Sequence, residues 1–96
     1  MEINLNVTVL EKFLSKVLKD AYGDREVYLV IEELRVQTEE TYEDGSFDYY
    51  IIGRYGMEGK WERKIDLLAK SSWNMTYLSG YFACYVDRQD GNYEQS

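Results

Sequence analysis

Cys84 is the only thiol in the chain, and no histidine stands anywhere to take its proton. The thiolate is the nucleophilic form, so a cysteine in an apolar run without a base reads as a small buried hydrophobe. Serine triads fail for want of the same base. Carboxylates are then the remaining candidates for metal ligation or proton transfer. Asp87-x-x-Asp90-Gly91-Asn92-x-Glu94 gathers oxygens, but its offsets do not match a calcium loop. The acids fall in loops or on wet faces, with no apolar setting to raise a pKa toward the neutral range. Gly53-x-x-Gly56-x-x-Gly59 continues into Lys60-Trp61 and lacks the lysine-hydroxyl pair of a phosphate loop; two of these glycines are expected to shape a hairpin. No catalytic residue, metal ligand or cofactor is expected. The chain reads as one that binds rather than converts.

What it would bind follows from charge and aromatics. Eighteen acidic residues stand against eleven basic ones, for a net charge of −7, and tyrosine occurs ten times. The charge is polarised: residues 20–48 hold ten acids and only Arg25 and Arg35, whereas 54–70 are net basic. Tyrosine supplies a rigid apolar body with a polar tip, a side chain suited to recognition. Aromatics beside Arg54, Lys60, Arg63 and Lys64 could stack bases, but nucleic-acid binders pair such a platform with a net basic surface. At −7 the inverse reading is stronger. Acids projecting from a hairpin can imitate phosphates for a basic nucleic-acid-binding protein, releasing counterions from it as the nucleic acid would. The residues expected to meet that partner are Glu39, Glu40, Glu43, Asp44 and Asp48, with Tyr42 as aromatic anchor. Tyr77, Tyr81 and Tyr85, on one face of an expected strand, are the second candidate surface.

In size, acidity, tyrosine content and lack of catalytic groups the chain resembles the small acidic inhibitors that phages encode against host nucleases, such as anti-CRISPR and anti-restriction proteins. The resemblance is one of composition and implies function without architecture. It implies an inhibitor that occupies the nucleic-acid groove of a basic effector, acting in the host cytoplasm. Two other readings use the same residues. One is an immunity protein against a basic nuclease toxin, for which charge gives fast association. The other is a self-assembling protein, a homodimer through the tyrosine face. The bland alternative has the acids merely solubilising the surface and the tyrosines finishing the core margin.

The elements that must position these residues read as an α+β domain spanning 1–96: one N-terminal amphipathic helix packed on an antiparallel meander of roughly four strands. Leu10, Phe13, Leu14, Val17, Leu18 and Ala21 form a helical stripe over 9–22, opened by a Thr8-Val9-Leu10-Glu11 capping box and closed by Gly23. Ile3, Leu5 and Val7 alternate, which allows a short opening strand over 2–7. Residues 26–38 read as a strand whose inward phase slips at Glu32-Glu33, so a bulge is expected there. Asp44-Gly45 marks a turn after an acidic loop at 39–45, and Phe47 to Tyr55 is the return strand. Gly56 to Gly59 marks a second turn, and 60–67 alternate as a third strand. Residues 68–74 connect to a last strand over 76–88 with Leu78, Phe82, Cys84 and Val86 inward. A polar tail, about 88–96, is expected to fray. With no proline in the chain, strand edges are expected to be guarded by charge and bulges alone.

A single cysteine excludes an internal disulfide, and no apolar run approaches a signal peptide or a membrane span. The cytoplasm is the expected compartment and no membrane partner is expected. On that ground Asn6-Val7-Thr8 and Asn74-Met75-Thr76 are chance matches to the glycosylation pattern.

Overall fold

The computed structural model describes residues 6–23 and 26–95, with side chains apart from those of 38, 40 and 90–95. Helix α1 (Val7–Tyr22) is followed by strands β1 (Val27–Thr41), β2 (Phe47–Met57) and β3 (Trp61–Lys70), and then by helix α2 (Met75–Gln95). The strands form one antiparallel sheet in the order β1-β2-β3. Both helices cover the same face of it. Leu10, Leu14 and Leu18 from α1 and Leu78, Phe82 and Val86 from α2 share one core with Leu29, Ile31, Tyr49, Ile51, Tyr55, Ile65 and Leu67.

Helix α1 begins two residues before its expected start. Asn6 is the cap, its Oδ1 accepting the Val9 N–H at 3.3 Å, and Thr8 lies inside the first turn, so the expected capping box does not form. Val7 belongs to this helix; the rest of the expected opening strand lies outside the described residues, apart from Asn6. Gly23 ends the helix in the left-handed conformation, its N–H bonded to the Lys19 carbonyl. Glu11, released from capping duty, instead accepts the Ile31 N–H of β1 at 2.8 Å.

That contact sits at the expected bulge. Ile31 pairs with Gly53 and Glu33 with Ile52, leaving Glu32 as the extra residue. With two consecutive residues turned outward, Leu29 and Ile31 before the bulge and Leu34 after it all face the helices. Gly53, opposite the bulge, has no room for a side chain: a Cβ there would stand 2.0 Å from the Val30 carbonyl oxygen. Gly53 and Gly56 therefore lie inside β2 at close approaches of neighbouring backbone, and the turn to β3 comes later, at 58–60. Strand β3 alternates as expected and continues through Lys70.

The largest correction concerns residues 76–88, which are not a fourth strand but most of helix α2. Asn74 caps it, its Oδ1 accepting the Tyr77 N–H at 2.7 Å. Leu78, Phe82, Tyr85, Val86 and Gln89 form the stripe that faces the sheet, at helical intervals of i, i+4, i+7, i+8 and i+11. Cys84, expected to be buried, is exposed on the opposite side. The polar end, expected to fray from about residue 88, is continuous with α2 as far as Gln95.

Both outer edges of the sheet are partly satisfied by helix side chains, where charge and bulges alone were expected. On β3 the Asp66 N–H donates to the Tyr85 hydroxyl oxygen, and Gln89 Nε2 donates to the Lys64 carbonyl, each at 3.2 Å. Glu11 does the same for β1 at Ile31. A carboxylate accepting a half-buried edge amide is a charge-assisted bond, of the kind that contributes roughly 1.5–3 kcal/mol. Glu11→Ala should therefore cost about that much and strip the Ile31 amide of hydrogen-exchange protection, while Glu11→Gln should retain part of both. Unchanged exchange at Ile31 in the alanine variant would contradict this docking role.

Candidate protein-binding surface

The face of the sheet turned away from the helices carries alternate residues of all three strands. Across it run the rows Tyr28–Gly56–Glu62, Val30–Arg54–Lys64, Arg35–Tyr50–Leu68 and Gln37–Asp48–Lys70. Most charges in the middle of this face are paired. Arg54 sits between Glu32 at 2.9 Å and Glu62 at 3.3 Å, and Arg35 meets Glu33 at 3.2 Å. Tyr28 donates its hydroxyl to Glu62, which holds the phenol protonated above its ordinary range; partial burial and the negative charge of Glu62 add to the effect. A shallow groove of about 450 Å³ runs among Glu32, Ile52, Arg54, Glu62, Lys64 and Asp66.

The hairpin between β1 and β2 forms one end of this sheet. Its loop is closed by Tyr42 N–H to the Ser46 carbonyl and Gly45 N–H to the Tyr42 carbonyl, both at 2.9 Å, with Gly45 at φ 86°. Asp44 caps the turn. One carboxylate oxygen accepts the Ser46 hydroxyl at 2.6 Å and the Ser46 N–H at 2.9 Å, and the hydroxyl bond is the main reason its pKa lies below the usual carboxylate value. Strand β1 continues through Thr41, so Glu39 lies in a strand and not in the expected acidic loop.

Tyr42 is held in place from two sides. Its hydroxyl donates to the Asp48 carboxylate, at 3.0 and 3.2 Å from the two oxygens, and Lys70 Nζ lies 4.7 Å from the centre of its ring. The residue remains 43 % exposed, so it is fixed but available. Beside it Gln37, Glu39, Asp48 and Tyr50 line a polar groove of about 310 Å³. Among the described residues no ion pair engages Glu39, Glu43 or Asp44, in contrast to Glu32, Glu33 and Glu62. The structure thus brings Glu39, Tyr42, Glu43, Asp44 and Asp48 to one end of the sheet. The Glu40 side chain lies outside the described atoms.

The tyrosine stripe is divided by the change of element. Positions i, i+4 and i+8 share a helix face as they share a strand face, but the helix turns slowly enough across them to separate their roles. Tyr85 is half-buried, stacks on Phe82 with ring centroids 6.4 Å apart, and accepts the Asp66 N–H. Tyr77 and Tyr81 are 56 % and 42 % exposed and both pack on Trp73, each with centroids 4.9 Å apart. Trp73 escaped the sequence reading, although an aromatic just before a capping asparagine was a usable signal. The second aromatic surface is therefore Trp73, Tyr77 and Tyr81, on the helical layer and away from the open sheet face.

Among the described residues no group of three or more Cys, Asp or Glu side chains gathers to hold a metal ion, and no helix is long and apolar enough to cross a membrane. Comparison with protein families, with curated proteins and with solved structures finds no match to this chain.

The Asp44 turn has a pH signature. Its folded pKa is depressed, so the stability its ionised form contributes is present above the unfolded value near 4 and is lost as pH falls through the lower folded value. The melting temperatures of wild type and Asp44→Ala should thus differ at pH 5–7 and converge as pH falls below ~4. A difference that does not change with pH would show that the carboxylate is not the capping group.

Proposed function

We propose that this protein is a small acidic inhibitor that occupies the nucleic-acid-binding groove of a basic partner, presenting the carboxylates of the β1–β2 hairpin where phosphates would lie. The observation that carries this reading is the division of the acids. Glu32, Glu33 and Glu62 are paired with arginines of their own sheet, whereas among the described residues Glu39, Glu43 and Asp44 stand at the hairpin end without an ion-pair partner, Asp44 feeling only the more distant charge of Lys70. Charge that is not neutralised within the molecule is available to a partner. Exposed acids otherwise serve solubility, but solubility does not require an aromatic fixed among them.

Tyr42 supplies that aromatic. Asp48 and Lys70 fix its hydroxyl and ring before any partner arrives, so little rotamer freedom remains to be lost on binding. The arrangement of a rigid tyrosine ringed by carboxylates suits a groove lined with lysine, arginine and base-stacking surface. Phage-encoded anti-defence inhibitors, of the anti-CRISPR or anti-restriction type, act on partners of this chemistry. A nuclease toxin would be met by the same surface, in which case the protein is its immunity factor. The class of partner, a basic protein that handles nucleic acid, is common to both.

The test is to change Glu39, Glu40 and Glu43 to Gln and Asp44 to Asn together, and to measure binding to basic nucleic-acid enzymes recovered from the native host at low salt. The amide oxygen introduced at position 44 can still accept from Ser46, so the turn should be retained, with a lower melting temperature for want of the ionised cap. Affinity should fall at least tenfold and the slope of log affinity against log salt should flatten. Wild-type affinity in the variant, or binding of the wild type that does not weaken with salt, would overturn the proposal.

A further inference from the structure

The outer face of α2 has the opposite character to the hairpin. Residues 71–86 include no Asp, Glu, Lys or Arg in a chain of net charge −7. Thr76, Tyr77, Gly80, Tyr81, Ala83 and Cys84 on this helix are all exposed, and a depression of about 440 Å³ lies over Gly80 between Tyr77, Tyr81 and Cys84. Nothing inside the molecule requires the glycine. Its φ is not positive, and a Cβ built there would meet nothing within 4 Å. A mid-helix glycine weakens a helix relative to alanine, so its presence on an open face points outward.

We propose that this face is the contact between two copies of the chain, formed by antiparallel packing of their α2 helices, with Tyr81 of each copy seated in the Gly80 depression of the other. Charge permits a second copy as the occupant. Two chains at −7 carry like net charge, and the uncharged strip of α2 brings no charged side chain of its own into a contact between copies. Shape agrees with it. A two-fold contact requires a surface that complements itself, and here the Tyr77–Tyr81 ridge lies directly beside the Gly80 groove. Absence of a side chain at the crossing lets the two helix backbones approach closely, as small residues do wherever helices pack tightly.

Residues 75–88 of α2 extend only about 20 Å at 1.5 Å per residue. A strip of that length supports a reversible dimer and not an obligate one, whose interfaces generally bury more than about 2,000 Å² in total. The dimer leaves the hairpin unaffected and does not depend on the function proposed for it. Salt separates the two surfaces. Screening weakens hairpin binding to a basic partner, but it strengthens self-association of like-charged chains.

Sedimentation of the intact chain over a wide concentration range, at low and high salt and under reducing conditions, tests the proposal. The mass should rise from monomer to dimer with concentration, at lower concentration when salt is high, and labelling of the Cys84 thiol should slow in parallel. Gly80→Leu should abolish the dimer while keeping or raising the melting temperature, since the added side chain clashes only with a second copy. Tyr81→Glu should abolish it by placing like charges at the contact. A monomer at every concentration and salt, or a dimer that survives both substitutions, would overturn the assignment.

Discussion

At Gly53, as at Gly56, two backbones of the sheet come so close that the residue between them must be glycine. A Cβ at Gly53 would overlap the Val30 carbonyl at 2.0 Å, and the neighbouring Ile31 Cα at 3.0 Å leaves no way round. This is where β1 carries its extra residue, Glu32. The bulge and the glycine form one device, in which the crowded strand is accommodated by the side chain its partner lacks. Three consequences follow from it. Leu29, Ile31 and Leu34 all join the core beneath the helices, although an unbroken strand would turn Leu34 outward. The Ile31 N–H at the edge of β1 meets Glu11 and fixes α1. Glu32 and Glu33 both turn to the open face, where Arg54 and Arg35 take them up.

The last consequence joins fold to function. A net charge of −7 says little by itself, because acids paired within a sheet offer no attraction to a partner. The register decides which acids are paired. Glu32 and Glu33 at the bulge and Glu62 on β3 meet arginines, while those at the hairpin end do not. The molecule thus has an acidic end that carries a fixed tyrosine and, on the first half of α2, an outer face that is uncharged and aromatic. Binding at the first should weaken with salt and binding at the second should strengthen.

Much of this was legible in the sequence, although Val27, Val30, Ile31 and Leu34, and likewise Trp61, Ile65 and Leu68, also fit a helical spacing, and branched residues in the first run and flanking glycines in the second decide for strands. Helix α1 follows from an apolar stripe that only a helix can align, and β1, its bulge, the Asp44-Gly45 turn and the alternation of β3 were equally readable. Helix α2 was not legible as a helix because Tyr77, Tyr81 and Tyr85 share a face under either period, and Cys84 completes a strand pattern with Phe82 and Val86. Tyr85 and Gln89 break the tie, since only a helix sets them beside Leu78, Phe82 and Val86 against the sheet. Asn74 and Asn6 stand out in the sequence as matches to the glycosylation pattern, yet both cap helices. The types of the hairpin residues could be read directly, but their lack of partners could not. Arg54 meets Glu32, 22 positions away, only through strand register, which composition does not contain.

The register of β1 against β2 rests on the Gly53 junction, and Gly53→Ala tests that junction most directly by equilibrium denaturation. No flexible side chain can yield, because the atoms in the way are backbone, so the added methyl must separate β1 from β2. The expected result is a loss exceptional for a single methyl, about 4 kcal/mol or more, or a chain that no longer folds cooperatively at about 25 °C. Stability within ~1 kcal/mol of wild type would contradict the close approach, and with it the register that sorts the acids into paired and unpaired sets.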